Sequence, residues 1–123
     1  MIKTLFGLLL ALPALSLAAP INTPEMLAKG KAVYIVNCLS CHGEKGNGLG
    51  PAGKYMNPKP RNLVTDKFKN GQTAPDIFKS ITKGLDGTGM SGFETLPESD
   101  RWALVYYVQS LQGGSKPTKT SEH

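Results

Sequence analysis

The chain has 123 residues, 40% of them hydrophobic and 19% charged, with 14 Lys+Arg, 9 Asp+Glu and two cysteines. That length supports one domain and argues against two independent cores, while the apolar content argues against a fully disordered chain. Two cysteines cannot staple a disulfide-rich scaffold, and no apolar run is long enough to cross a bilayer. The formal net charge of +5 is a modest excess without basic blocks, so nucleic acid is not an expected partner.

The chain begins as a targeting segment. Met1-Ile2-Lys3 supplies a positive start, Leu5 to Leu17 is almost wholly apolar, and Ser16-Leu17-Ala18 offers small residues for cleavage after Ala18. The apolar run is shorter than the roughly 20 residues a membrane helix needs, so an uncleaved anchor is the weaker reading. The expected organisation is a signal peptide over 1–18, a domain over 19–112 and a tail over 113–123. Export and a periplasmic location follow, with no stable membrane insertion. From Ser115 to His123 the tail has no apolar residue except Pro117, so it cannot offset its ordering entropy and is expected to be disordered.

Three helical patterns follow, with no convincing strand. Thr23-Pro24-Glu25 places a cap, a first-turn proline and an acid before Leu27, Gly30, Val33, Tyr34 and Asn37, which share one helical face. Gly30 in mid-helix costs about 1 kcal/mol relative to Ala, a cost that close approach of another helix would explain. Thr73 and Asp76 form a capping-box pattern ahead of Ile77, Phe78 and Ile81, and Gly84 ends that short helix. Glu98, Ser99 and Asp100 open the third, which runs through Trp102–Val108 to Leu111; Pro97 stands where Ser or Asp would cap better. Between Cys41 and Thr73 lie about 30 residues rich in Gly and Pro without periodicity, a stretch that suits a compact domain only if it wraps something apolar that is not protein.

Cys38-Leu39-Ser40-Cys41-His42 is the pattern Cys-x-x-Cys-His, which reads as covalent haem attachment. Two thiols on one side of a helical turn match the two vinyl groups of neighbouring pyrroles, and the next residue is aimed at the iron from the same face. A thioredoxin-like pair would need a preceding strand and a βαβ setting. A disulfide would close too short a loop to gain much and would leave the histidine unexplained. Zinc would need His123 from the tail as a fourth ligand. With His42 on the iron, one axial position remains. Met26 packs on the first helix, while Met56 lies in the proline-rich loop and Met90 in Gly87-Thr88-Gly89-Met90-Ser91-Gly92-Phe93. The glycines around Met90 suit a backbone bending close to a flat cofactor, which favours Met90; Met56 stays open as the alternative, and core filling is the ordinary role for whichever is not used.

Across residues 23–112 the chain resembles a class I c-type cytochrome. The likeness rests on Gly30 and Tyr34, Cys38-x-x-Cys41-His42, Gly50-Pro51, Gly87-Thr88-Gly89-Met90, and Asp100 through Val108. It implies an all-α cytochrome c fold: three main helices and long loops around one covalently bound haem c. It further implies that Gly30 and Tyr34 cross Trp102 and Tyr106, that Met90 is the sixth ligand, and that the Pro51 carbonyl accepts the His42 ring N–H. Pro58 to Leu63 would line the haem edge, with Arg61 facing a propionate or simply solvating the surface. Ser91 stands where the family commonly has proline, a departure expected to loosen the loop.

Two protein ligands leave no open iron site, so the expected function is one-electron carriage between larger redox proteins, without enzymatic activity. Thr88, Phe93, Leu63, Ile77, Ile81 and Leu85 are candidates for the apolar surroundings that favour Fe(II). Lys45, Lys54, Lys59, Lys67, Lys69, Lys79 and Lys83 all fall between the haem motif and Met90; they either ring the haem edge as a docking surface for acidic partners or are scattered solubilising charges. Two other readings stand beside the free carrier. One is an electron-transfer subunit of a multisubunit oxidoreductase. The other is a five-coordinate gas-binding or peroxidatic haem protein, which rapid binding of carbon monoxide to the reduced form would reveal.

Overall fold

A computed structural model describes residues 7–13 and 19–113. The cleavage positions 16–18 and nearly all of the tail, His123 included, lie outside the described residues. The elements are α1 (Pro24–Asn37), the single turn α2 (Leu39–His42), a 3₁₀ turn (Gly53–Tyr55), α3 (Ala74–Lys83) and α4 (Glu98–Leu111). No strand occurs among the described residues, where the one ladder contact is an isolated antiparallel bridge between Gly84 and Ser91. The chain has the all-α architecture expected, with α2 and the 3₁₀ turn as additions.

Local chemistry sets the helix boundaries. Thr23 Oγ1 accepts the Met26 N–H at 3.2 Å, with Pro24 in the first turn. At α3 the capping box is complete: Thr73 Oγ1 accepts the Asp76 N–H at 3.3 Å, and Asp76 Oδ2 accepts the Thr73 N–H at 3.2 Å. Gly84, at φ +75°, then turns the chain out of the helix. Helix α4 starts after Pro97 with no side-chain cap; Glu98 and Asp100 in its first turn complement the dipole, and Asp100 also pairs with Lys29 of α1 at 2.8 Å. The backbone leaves helical geometry at Cys38 (φ −121°), and the Cys41 and His42 N–H groups both return to the Cys38 carbonyl, at 3.2 and 2.9 Å. The Cys38–His42 motif therefore forms its own turn at the end of α1.

Helices α1 and α4 cross at Gly30, where a Cβ would collide with the Ala103 carbonyl and stand 2.9 Å from Tyr107 Cβ. Above the crossing the Tyr34 and Tyr107 rings lie 5.1 Å apart. This corrects the expected partners: Gly30 and Tyr34 meet Ala103 and Tyr107 where Trp102 and Tyr106 were expected. Each expected partner lies one residue earlier, and one residue on a helix is a rotation of about 100°. Trp102 instead stacks on Phe78 of α3 at 4.3 Å, and the Tyr106 hydroxyl donates to the Pro20 carbonyl. The core gathers Tyr34, Leu63, Ile77, Ile81, Leu104, Val105 and Val108.

Candidate functional site

The helices and long loops enclose a cavity of about 430 Å³. Its walls carry Cys38, Cys41, His42, Met56 and Met90, with Leu63, Phe68, Ile77, Ile81, Leu104 and Val108 among the apolar lining. All six residues expected to form an apolar shell, Thr88, Phe93, Leu63, Ile77, Ile81 and Leu85, do line it. Exposed Pro58, Lys59, Arg61 and Lys69 mark where it reaches the surface. The 41–73 stretch is thus one side of a container whose contents the polypeptide does not supply.

Neither cysteine is in a disulfide. Burial, and then the neighbouring charge of Cys41, pushes the Cys38 thiol up to about 12. His42 is held from its far side: Nδ1 lies 3.1 Å from the Arg61 carbonyl oxygen. A carbonyl only accepts, so Nδ1 carries the proton and Nε2 keeps a free lone pair, the form a metal requires. Burial lowers the imidazole pKa, and the carbonyl bond opposes that shift. The Tyr34 hydroxyl, buried on α1, donates to the Gly43 carbonyl at 2.6 Å and so ties the residue after His42 to the long helix.

Here the expected role of Pro51 is overturned. Pro51 is exposed and lines a separate hollow with Gly48, Leu49, Gly50, Gly53, Lys54 and Lys59. The glycine-rich loop causes this. The Gly48 N–H returns to the His42 carbonyl at 2.7 Å and the Leu63 N–H to the Gly46 carbonyl at 2.7 Å, which draws Pro60-Arg61 under the imidazole. A Cβ on Gly48 would stand 2.8 Å from the Pro60 carbonyl oxygen, so this approach needs glycine. Arg61 thus contributes its main chain to the site, and its side chain stands exposed at the cavity rim.

The Met90 loop is pinned internally. The Met90 N–H donates to Thr88 Oγ1 at 3.2 Å, Thr88 Oγ1 donates to the Leu85 carbonyl at 2.7 Å, and the Met90 carbonyl accepts the Leu85 N–H at 3.1 Å. With the Gly84–Ser91 bridge, these bonds brace a loop that lacks the family's proline. Two free thiols, an imidazole with an available lone pair and two thioethers in one apolar cavity are a donor set that fits a covalently attached haem. Among the described residues no group of three or more His, Cys, Asp or Glu is assembled, so the zinc reading finds no ligand set there. Leu104 and Val108 went unassigned to the cavity from sequence, although their four-residue spacing on α4 is a signal that would have served; Phe68 offered none.

Residues 27–112 match the family model for cytochrome c. The chain is 34% identical over 101 residues to the cbb3-type cytochrome c oxidase subunit FixP of Azorhizobium caulinodans, covering 82% of this chain and 32% of that one. It is 34% identical over 86 residues to subunit CcoP of Azospirillum brasilense, covering 70% and 28%. A chain of the reducing HAO-like protein complex of Kuenenia stuttgartiensis superposes with a TM-score of 0.71 at 34% identity, over 76% of this chain and 47% of that one. The chain thus spans about a third of the length of these curated relatives. No described helix is long and apolar enough to cross a membrane.

Proposed function

The chain belongs to the cytochrome c family, and from that premise we propose that it is an exported, periplasmic one-electron carrier with a single haem c and no enzymatic activity of its own. The observation that carries the proposal is the convergence of both thiols, the carbonyl-held imidazole and Met90 on one apolar cavity. Cys38 and Cys41 would hold the haem as thioethers, His42 Nε2 and Met90 Sδ would bind its iron, and the exposed Arg61 side chain at the rim would pair with a propionate. The bound haem supplies an iron that alternates between Fe(II) and Fe(III). The polypeptide sets how readily it does so. The Arg61 carbonyl on Nδ1 keeps the imidazole a strong donor, while the apolar walls exclude water and disfavour the more highly charged oxidised site.

The redox partners are larger proteins that present acidic surfaces. Lys59 and Lys69 stand at the cavity rim, and Lys45, Lys54, Lys67 and Lys79 are exposed with no ion pair among the described residues, whereas Lys83 is paired with Glu94. A second reading, an electron-transfer subunit of a multisubunit oxidoreductase, is favoured by relatives that bear oxidase-subunit names and of which the matched region makes up only 28% and 32%. In stopped-flow mixing with an acidic redox protein, the holoprotein should exchange one electron at a rate that falls as ionic strength rises beyond about 0.1 M. A flat salt response would remove the lysine docking surface, and no exchange with any redox protein would contradict electron carriage.

A further inference from the structure

The reading above uses one of the two thioethers on the cavity wall. Met56 is half-buried, and its methyl carbon occupies the space beside Gly89, the residue before Met90. A Cβ built on Gly89 would stand 2.5 Å from Met56 Cε, with no other atom of a neighbouring segment within 4 Å among the described residues. Gly89 does not need to be glycine for its backbone: Gly84 and Gly87 have φ of +75° and +72°, whereas the φ of Gly89 is not positive. A side chain at 89 would have to displace the flexible end of Met56 from this seat.

The hydrogen bonds around Met90 run within the loop, to Leu85 and Thr88, and the Phe93 N–H anchors its far end to the Ile81 carbonyl at 2.9 Å. Across the cavity mouth the facing segment reaches it through Lys69 and Met56. Lys69 Nζ donates to the Asp86 carbonyl at 3.0 Å, an exposed bond that water competes for, and Met56 places its apolar end on Gly89. A thioether chain is long and conformationally adaptable, suited to bridging such a gap.

We infer that Met56 is a positioning residue, a latch from the proline-rich loop that seats on Gly89 and holds the Met90 sulfur in the cavity. The inference rests on Met90 as the sixth ligand. Its role is packing, so leucine at 56 should serve and alanine should not.

The test is imidazole binding to the oxidised holoprotein, followed by loss of the weak red sulfur-to-iron absorption band. Imidazole enters only when the loop opens, so its apparent affinity reports the open fraction. Met56→Ala should keep the band and bind imidazole about tenfold more tightly, with Met56→Leu restoring the parent value. Gly89→Ala, which displaces the methyl group from the other side, should give the same rise and covers the case in which Met56→Ala fails to fold. Because both changes break one contact, the double variant should remain near tenfold, whereas independent effects would multiply to about a hundredfold. Parent-like imidazole affinity in Met56→Ala, a hundredfold effect in the double variant, or failure of leucine to restore the parent value overturns the latch. Loss of the band in Met56→Ala with its retention in Met90→Ala would instead overturn the ligand assignment itself.

Discussion

Replacing Met90 with alanine should abolish the red sulfur-to-iron band of the oxidised holoprotein and lower its reduction potential by about 0.1 V or more, a fraction of the roughly 0.8 V that axial ligands command. The direction follows from the ligand's chemistry. A neutral, polarizable thioether stabilises Fe(II) relative to Fe(III), so whatever replaces it, water or a nitrogen donor, favours the oxidised state. The size follows from the loop. Met90 is held at its N–H by Thr88 and at its carbonyl by Leu85, so its loop is braced whichever side chain it carries. The matching control is Met56→Ala, which should retain the band. Spectroelectrochemical titration of both variants reads band and potential together, and the reverse pattern would transfer the ligand role to Met56.

A single methyl group at position 30 should unsettle the whole domain. In Gly30→Ala the new Cβ would meet the Ala103 carbonyl oxygen and lie 2.6 Å from its carbonyl carbon. Both atoms belong to the backbone of α4, so no rotamer change relieves the clash and the two helices must separate. Overpacking that moves backbone costs about 3 kcal/mol, well beyond the gain of about 1 kcal/mol from the better helix propensity of alanine. For a domain of this size the net midpoint should fall by roughly 8–16 °C, with a larger fall for Gly30→Val. Separating α1 from α4 also tilts Tyr34, whose hydroxyl holds the Gly43 carbonyl beside His42. The loss should therefore appear in the absorption spectrum on heating as well as in circular dichroism. An unchanged midpoint would mean that the helices do not cross there.

How much of this was legible in the chain itself follows a physical boundary. Interactions between residues close in sequence were readable: the Thr23 cap, the Thr73–Asp76 capping box, the Gly84 stop and the turn that brings Cys38, Cys41 and His42 together depend on neighbours within one helical turn. Gly30 marked a helix crossing because a costly residue in mid-helix demands a reason. Which residues it crossed was less legible, because one position along α4 rotates the contact by a quarter-turn and only long-range packing selects Ala103 and Tyr107. The histidine's carbonyl partner, which the resemblance implies to be Pro51, is Arg61 here. Pro51 is nearer in sequence, but the glycine-rich loop returns to His42 and Leu63 to Gly46, and those bonds deliver Arg61 instead. The contact of Met56 with Gly89 left no periodic signal, since neither residue lies in a regular element.

The most direct measurement is the mass of the mature chain after denaturation and solvent extraction, with a pyridine haemochrome spectrum of the same sample. The account predicts one haem that survives extraction, with the spectrum of a porphyrin whose two vinyl groups are saturated, and loss of that stoichiometry when Cys38 and Cys41 are both replaced. A colourless chain that matures in a host able to attach haem, yet unfolds cooperatively with its bare mass, would contradict it.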